Sequence, residues 1–170
     1  RFYKHTYDTV KRLCPEIQFG SPSMLYIENL GNADWIYRFI GWCREQSCMP
    51  DFMNIHYYAD IILPTSSDDF FLTKATASCF PKATDDFSLF IGGIKKIFKT
   101  LGVQDKPVYM TEWNFTMSHR NLISDTSFKT CYIMKNLLKN YDRLDSFCYW
   151  SLTDLIRENP LPPNQFHGGL

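Results

Sequence analysis

The sequence predicts an α/β fold in which βα units build a parallel sheet, cut from a larger α/β barrel. Three observations carry that prediction. Helix-period and strand-like stretches alternate four times, as βα units do. The β-branched and aromatic run Val108-Tyr109-Met110 leads into Thr111-Glu112-Trp113-Asn114, so a strand delivers a carboxylate at its C-terminal tip, the end where parallel α/β folds gather their chemistry. The order also opens on a helix with no strand before it and closes on a strand with no helix after it. A set of four strands cannot close a barrel, and left open it has poorly covered edges and faces. The expectation is a single partial (β/α) barrel domain over residues 1–170, truncated on its N-terminal side.

Each element has its own signal. Phe2, Tyr3, Tyr7, Val10, Leu13 and Cys14 approach helical spacing, and Pro15 ends that run. Glu16 to Gly20 reads as a short strand entering the turn Gly20-Ser21-Pro22-Ser23. A helix over 34–47 places Trp35, Ile36, Phe39, Ile40 and Cys43 on its inner face, and a strand over 51–58 follows. Residues 60–84 are rich in Ser, Thr, Asp and Pro and too long for an ordinary connection, as in a functional lid or a mobile loop. The next helix, 86–101, has the apolar stripe Phe87, Phe90, Ile91, Ile94, Ile97, Phe98 and Leu101, with Gly102 as its stop. After the Glu112 strand and the polar loop His119-Arg120-Asn121, Asp125 suits an N-cap for a helix over 128–138 with Tyr132 and Met134 as core candidates. The last strand is 145–152, and the tail from Pro160 to Leu170 reads as irregular.

The composition is that of an ordinary globular protein, 45% hydrophobic and 21% charged, with 18 acidic and 18 basic residues. Scattered basic residues at zero net charge give no nucleic-acid-contacting surface. Aromatic residues reach 16%, which suits both a core and the stacking of sugar rings. The cysteines (Cys14, Cys43, Cys48, Cys79, Cys131, Cys148) form no CxxC and no zinc-spaced cluster, and they read as reduced core thiols of a cytoplasmic protein. No apolar run approaches a membrane span and no signal peptide is visible. Neither a metal constellation nor a phosphate-cradling glycine loop is present, so neither metal nor cofactor is expected. Asn114-Phe115-Thr116 is formally a glycosylation sequon, discarded because a glycan there would block the strand tip. From its residues alone, Glu112 reads equally as a catalytic carboxylate and as a strand-end group that caps a helix or solvates a loop.

The strand-end motifs Gly20-Ser21-Pro22-Ser23, His56-Tyr57-Tyr58, Thr111-Glu112-Trp113-Asn114 and Tyr149-Trp150-Ser151-Leu152-Thr153-Asp154, with Phe166-His167-Gly168-Gly169 in the tail, form an ordered set. This set resembles the β-xylosidase and α-L-iduronidase family of retaining glycoside hydrolases over nearly the whole chain. The resemblance implies the C-terminal half of a TIM (β/α)8 barrel, strands five to eight, with Glu112 as nucleophile. It implies that Asn114 orients the site, that His56 and Tyr58 contact sugar hydroxyls, that Trp150 is a stacking platform and that Glu158 binds a hydroxyl. Against these stand a satisfied core histidine for His56, barrel core for Trp150 and a solvated loop residue for Glu158.

Two departures limit the resemblance. The family's acid/base glutamate lies in an Asn-Glu-Pro motif on the fourth strand, which this segment lacks, so the segment alone is expected to be inactive. Arg157-Glu158 also stands where the family usually has two glutamates. The implied partners are a sugar or oligosaccharide and either the missing N-terminal half-barrel or a second copy. Residues 118–126 with 151–154 are similar as well to the barrel domain of AraC-type transcriptional regulators, which implies the alternative of a non-catalytic sugar sensor.

Overall fold

The computed structural model describes residues 1–25, 32–59, 85–115 and 126–151. Helix α1 (Phe2–Leu13), strand β1 (Met24–Leu25), helix α2 (Asn32–Glu45), strand β2 (Met53–Tyr58), helix α3 (Asp86–Thr100), strand β3 (Val108–Asn114), helix α4 (Ser127–Asn140) and strand β4 (Ser146–Tyr149) follow in order. The strands form one sheet in the order β1-β2-β3-β4, and every neighbouring pair is parallel. This is the α/β alternation that the sequence predicts.

Alternation along the strands divides the sheet into two faces. Met53, Ile55 and Tyr57 of β2 stand in register with Val108, Met110 and Trp113 of β3, and all six are buried. They share one core with Ile36, Phe39, Ile40 and Cys43 of α2 and with Phe87, Phe90, Ile91, Ile94 and Phe98 of α3. Burying each such side chain contributes about 1.5–3 kcal/mol. The opposite face carries Asn54, His56 and Tyr58 beside Tyr109, Glu112 and Asn114.

Helix α3 ends as its glycine requires. Gly102 adopts φ +64°, its N–H bonds Lys99 O (3.1 Å), and Val103 N–H bonds Phe98 O (2.9 Å), a Schellman closure with Phe98 and Val103 both buried. Helix α2 closes in the same way on Ser47, whose φ is +54°, with Cys48 N–H bonding Cys43 O (2.9 Å). A serine in the left-handed region lacks glycine's freedom there. Ser47→Gly is therefore expected to raise stability by roughly 0.5–1 kcal/mol, read as a higher denaturant midpoint at unchanged slope.

Several expectations are corrected. The strand anticipated at Glu16–Gly20 is a turn and irregular chain, and the strand proper is Met24–Leu25. The irregular segment is still tied down, because Asp51 accepts from Phe19 N–H (2.6 Å) and from Lys11 Nζ (2.7 Å). Burial would raise the Asp51 pKa, but these two donors outweigh it and hold the carboxyl below its ordinary value. Gly20 lies so close to the Phe52 ring that a Cβ would fall 2.2 Å from it.

Trp35 is 40% exposed and stacks on Phe39 from the flank of α2, because the inward stripe is already filled by Ile36, Phe39, Ile40 and Cys43. Met134 faces outward. The inner face of α4 belongs to Tyr132, Asn136 and Asn140 at four-residue spacing, so Met134 falls on the opposite side. Helix α1 buries no residue completely and leaves Phe2 and Leu13 exposed. Cys43 and Cys48 are buried free thiols, and burial pushes the Cys43 pKa up to about 12. Cys14 is partly exposed, and Cys131 and Cys148 are exposed rather than core. The N-cap of α4 is Thr126. Asp125, Cys79, the 60–84 stretch, the loop at 119–121 and the tail from Pro160 lie outside the described residues.

Candidate active site

The polar face of the sheet converges on Glu112. Tyr58, at the end of β2, donates its hydroxyl to Glu112 Oε2 at 2.7 Å. His56, two residues earlier on the same face, places Nδ1 3.5 Å from the same oxygen. Its other nitrogen, Nε2, lies 2.9 Å from Thr111 Oγ1. Burial raises the Tyr58 pKa, reinforced by its bond to the carboxylate, so the phenol stays a donor. Burial also lowers the His56 pKa, against the pull of Glu112 in the other direction.

Thr111 and Glu112 both reach His56 because the pairing slips by one residue. Ile55 is opposite Met110, but His56 is opposite Glu112, leaving Thr111 as the extra residue of a β-bulge in β3. The register with β4 slips at the same place. The sequence carries a trace of the bulge that the motif reading missed. Apolar positions fall at Val108 and Met110 and then at Trp113 and Phe115, a change of phase by one.

Asn114 is buried, and its amide is engaged by the next strand. Its Nδ2 donates to Trp150 O, while its Oδ1 accepts from Phe115 N–H (2.6 Å) and from the Tyr149 hydroxyl (3.3 Å). It thereby joins the tips of β3 and β4. Trp150 N–H bonds Trp113 O (3.1 Å), and the Trp150–Ser151 peptide is cis. Trp150 is 47% exposed in this segment. Glu158, Arg157 and His167 lie outside the described residues. The structure thus brings Glu112, Tyr58, His56 and Asn114 together at the strand tips and ties the Trp150 main chain to Asn114 and Trp113.

The motif reading also missed Asn54 and Thr111 and the part played by Ser21 and Ser23. Ser21 Oγ accepts from Asn54 N–H (2.9 Å), and Asn54 Nδ2 donates to Ser23 Oγ (2.7 Å). Thr111 Oγ1 donates to Asn54 Oδ1. Among the described residues no group of three or more His, Cys, Asp or Glu is placed to hold a metal ion, and no helix is long and apolar enough to cross a membrane. Chemically, the arrangement offers a carboxylate at a strand tip, oriented by a phenol and flanked by an imidazole.

The profile of glycosyl hydrolases family 39 matches residues 1–170, the whole chain. The chain belongs to this family. Among curated relatives, the β-xylosidase of Geobacillus stearothermophilus is 25% identical over 169 residues, which is 99% of this chain and 32% of that protein. The β-xylosidase of Caldicellulosiruptor saccharolyticus is 26% identical over 171 residues, with the same coverage of 99% and 32%. The chain therefore spans about a third of the length of the curated relatives it matches.

Solved structures agree on the fold. The monomeric β-xylosidase from Caulobacter crescentus superposes with a TM-score of 0.70 at 18% identity, covering 87% of this chain and 28% of that one. The family 39 enzyme from Xanthomonas axonopodis pv. citri gives 0.65 at 23% identity, covering 99% and 31%.

Proposed function

We propose that this chain is the C-terminal half of a (β/α)8 barrel, which in the full-length protein is a retaining glycoside hydrolase acting on a β-linked xyloside or related pentoside. The observation that carries this reading is the carboxylate of Glu112, presented at the tip of a parallel strand and held by Tyr58. In a retaining reaction such a carboxylate attacks the anomeric carbon and forms a glycosyl ester as the glycosidic bond breaks and the aglycone leaves with a proton from the general acid. Water, deprotonated by the same group, then hydrolyses the ester. The second carboxyl, the general acid/base, stands roughly 5–5.5 Å from the first in such enzymes and here belongs to the fourth strand, outside this segment.

In this reading His56 and Tyr58 meet sugar hydroxyls as well as Glu112, and Trp150 offers its exposed ring to the apolar face of the sugar. Asn114 keeps the tips of β3 and β4 together beneath the sugar, and Glu158 binds a hydroxyl. The remaining strands of the barrel close on the two edges of the sheet, β1 and β4. The names of the curated relatives support the choice of a β-xyloside.

The test is the intact mass of the full-length protein after incubation with a 2-fluoro-β-xylosyl inhibitor, followed by peptide mapping. A covalent adduct on Glu112 is expected. A protein that binds xylose but forms no adduct and releases no aglycone would instead be a sensor, the alternative implied by the regulator-like motifs.

A further inference from the structure

The side chains behind Glu112 form a continuous line: Ser23, Asn54, Thr111, His56 and then Glu112. Only the last of these is a candidate reacting group. We propose that Thr111 is a positioning residue which, with Asn54, fixes His56 as the Nε2–H tautomer, so that the neutral imidazole turns an unprotonated Nδ1 toward Glu112. This deepens the reading of Glu112 as nucleophile and rests on it.

The assignment follows from counting protons. Asn54 Nδ2 donates to Ser23 Oγ, which leaves Asn54 Oδ1 as the acceptor facing Thr111. Threonine has one hydroxyl proton, and it is directed at Asn54 Oδ1. Toward His56 Nε2, 2.9 Å away, Thr111 Oγ1 therefore acts as acceptor, and Nε2 carries the proton. A neutral imidazole has a single N–H, so Nδ1 is bare. At 3.5 Å from Glu112 Oε2 it donates nothing, and the carboxylate keeps Tyr58 as its donor.

The consequence lies in the nucleophile. A second charge-assisted donor would stabilise the resting carboxylate and make it a poorer attacking group. Protonated His56 supplies that donor, because its second proton sits on Nδ1 and pairs with Glu112. Among the described residues, the titratable groups facing His56 are Glu112 on β3 and, through the same carboxylate oxygen, the Tyr58 phenol on β2, while β1 brings Leu25 into register with His56. Burial keeps His56 neutral to lower pH than a free imidazole, so the tautomer governs the site around neutrality.

The experiment compares wild type, Thr111→Val and Thr111→Ser in the full-length protein. Nitrogen-15 NMR of the histidines is expected to show His56 as the Nε2–H tautomer in wild type and Thr111→Ser, with Nδ1–H gained in Thr111→Val. On an aryl β-xyloside, kcat for Thr111→Val is expected to fall roughly tenfold, the scale of one added charge-assisted hydrogen bond, with KM little changed. The acidic limb of its pH profile flattens, because Glu112 then faces a donor whether or not His56 is charged. Thr111→Ser retains the wild-type tautomer and limb. An unchanged tautomer in Thr111→Val, or a serine variant that behaves like the valine one, would overturn the proposal. A wild type that does not hydrolyse xylosides would count against the nucleophile, while the NMR comparison would still decide the tautomer.

Discussion

Replacing Glu112 by glutamine in the full-length protein is expected to lower turnover of an aryl β-xyloside by at least roughly a thousandfold, about 4 kcal/mol of lost transition-state stabilisation. Glutamine keeps the size of the side chain and an oxygen for the Tyr58 hydroxyl, but it cannot form the glycosyl ester. Stability is expected to change little, since the Glu112 side chain is 31% exposed and is not part of the core. The loss therefore falls on kcat, and labelling by a 2-fluoro-β-xylosyl inhibitor disappears with it. A glutamine variant that keeps more than about a hundredth of the wild-type rate would place the nucleophile elsewhere.

The neighbouring residue is expected to behave in the opposite way. Trp113 points to the other face of β3, where it is 1% exposed and stacked on Phe87 at 4.9 Å, with the Phe147 and Tyr149 rings edge-on to it. Trp113→Ala is expected to cost about 3–5 kcal/mol, measured by denaturant unfolding of the full-length protein. The cavity would open between β3, β4 and α3, beneath the strand tip that carries Glu112. Any activity lost would then follow the fraction unfolded. A stability change below about 1 kcal/mol would mean that the ring does not fill the core as the structure shows.

The contrast between these adjacent residues separates what local sequence encodes from what packing adds. The β-branched and aromatic composition of Val108–Asn114 identifies a strand, and its polar end locates a carboxylate at the tip. The three-and-four spacing of Phe87, Phe90, Ile91, Ile94 and Phe98 identifies α3 and its buried side, and Gly102 marks its end. All of these depend on backbone sterics and on periodicity along one segment, so they are legible without a partner.

Trp35 and Met134 show where that legibility stops. Each is a large apolar residue on a real helix, yet each lies outside the core, because the face turned inward is chosen by the sheet beneath it and by whichever side chains fill the space first. The apolar signal was weakest on α4, whose inner face includes Asn136 and Asn140, both fully buried. Their amides bond to carbonyls one turn back, which lets polar groups occupy positions that the pattern assigns to hydrophobes.

At the candidate site, the sequence by itself determined the α/β alternation, the strand that carries Glu112 and the common face of His56 and Tyr58, since each is a property of consecutive residues. Only the tertiary structure decided that Thr111 occupies a bulge, that Asn54 meets it from β2, and that the Asn114 amide is engaged by β4. Those contacts join residues 35 to 57 positions apart. Their geometry depends on a one-residue slip in strand pairing, which no local propensity specifies.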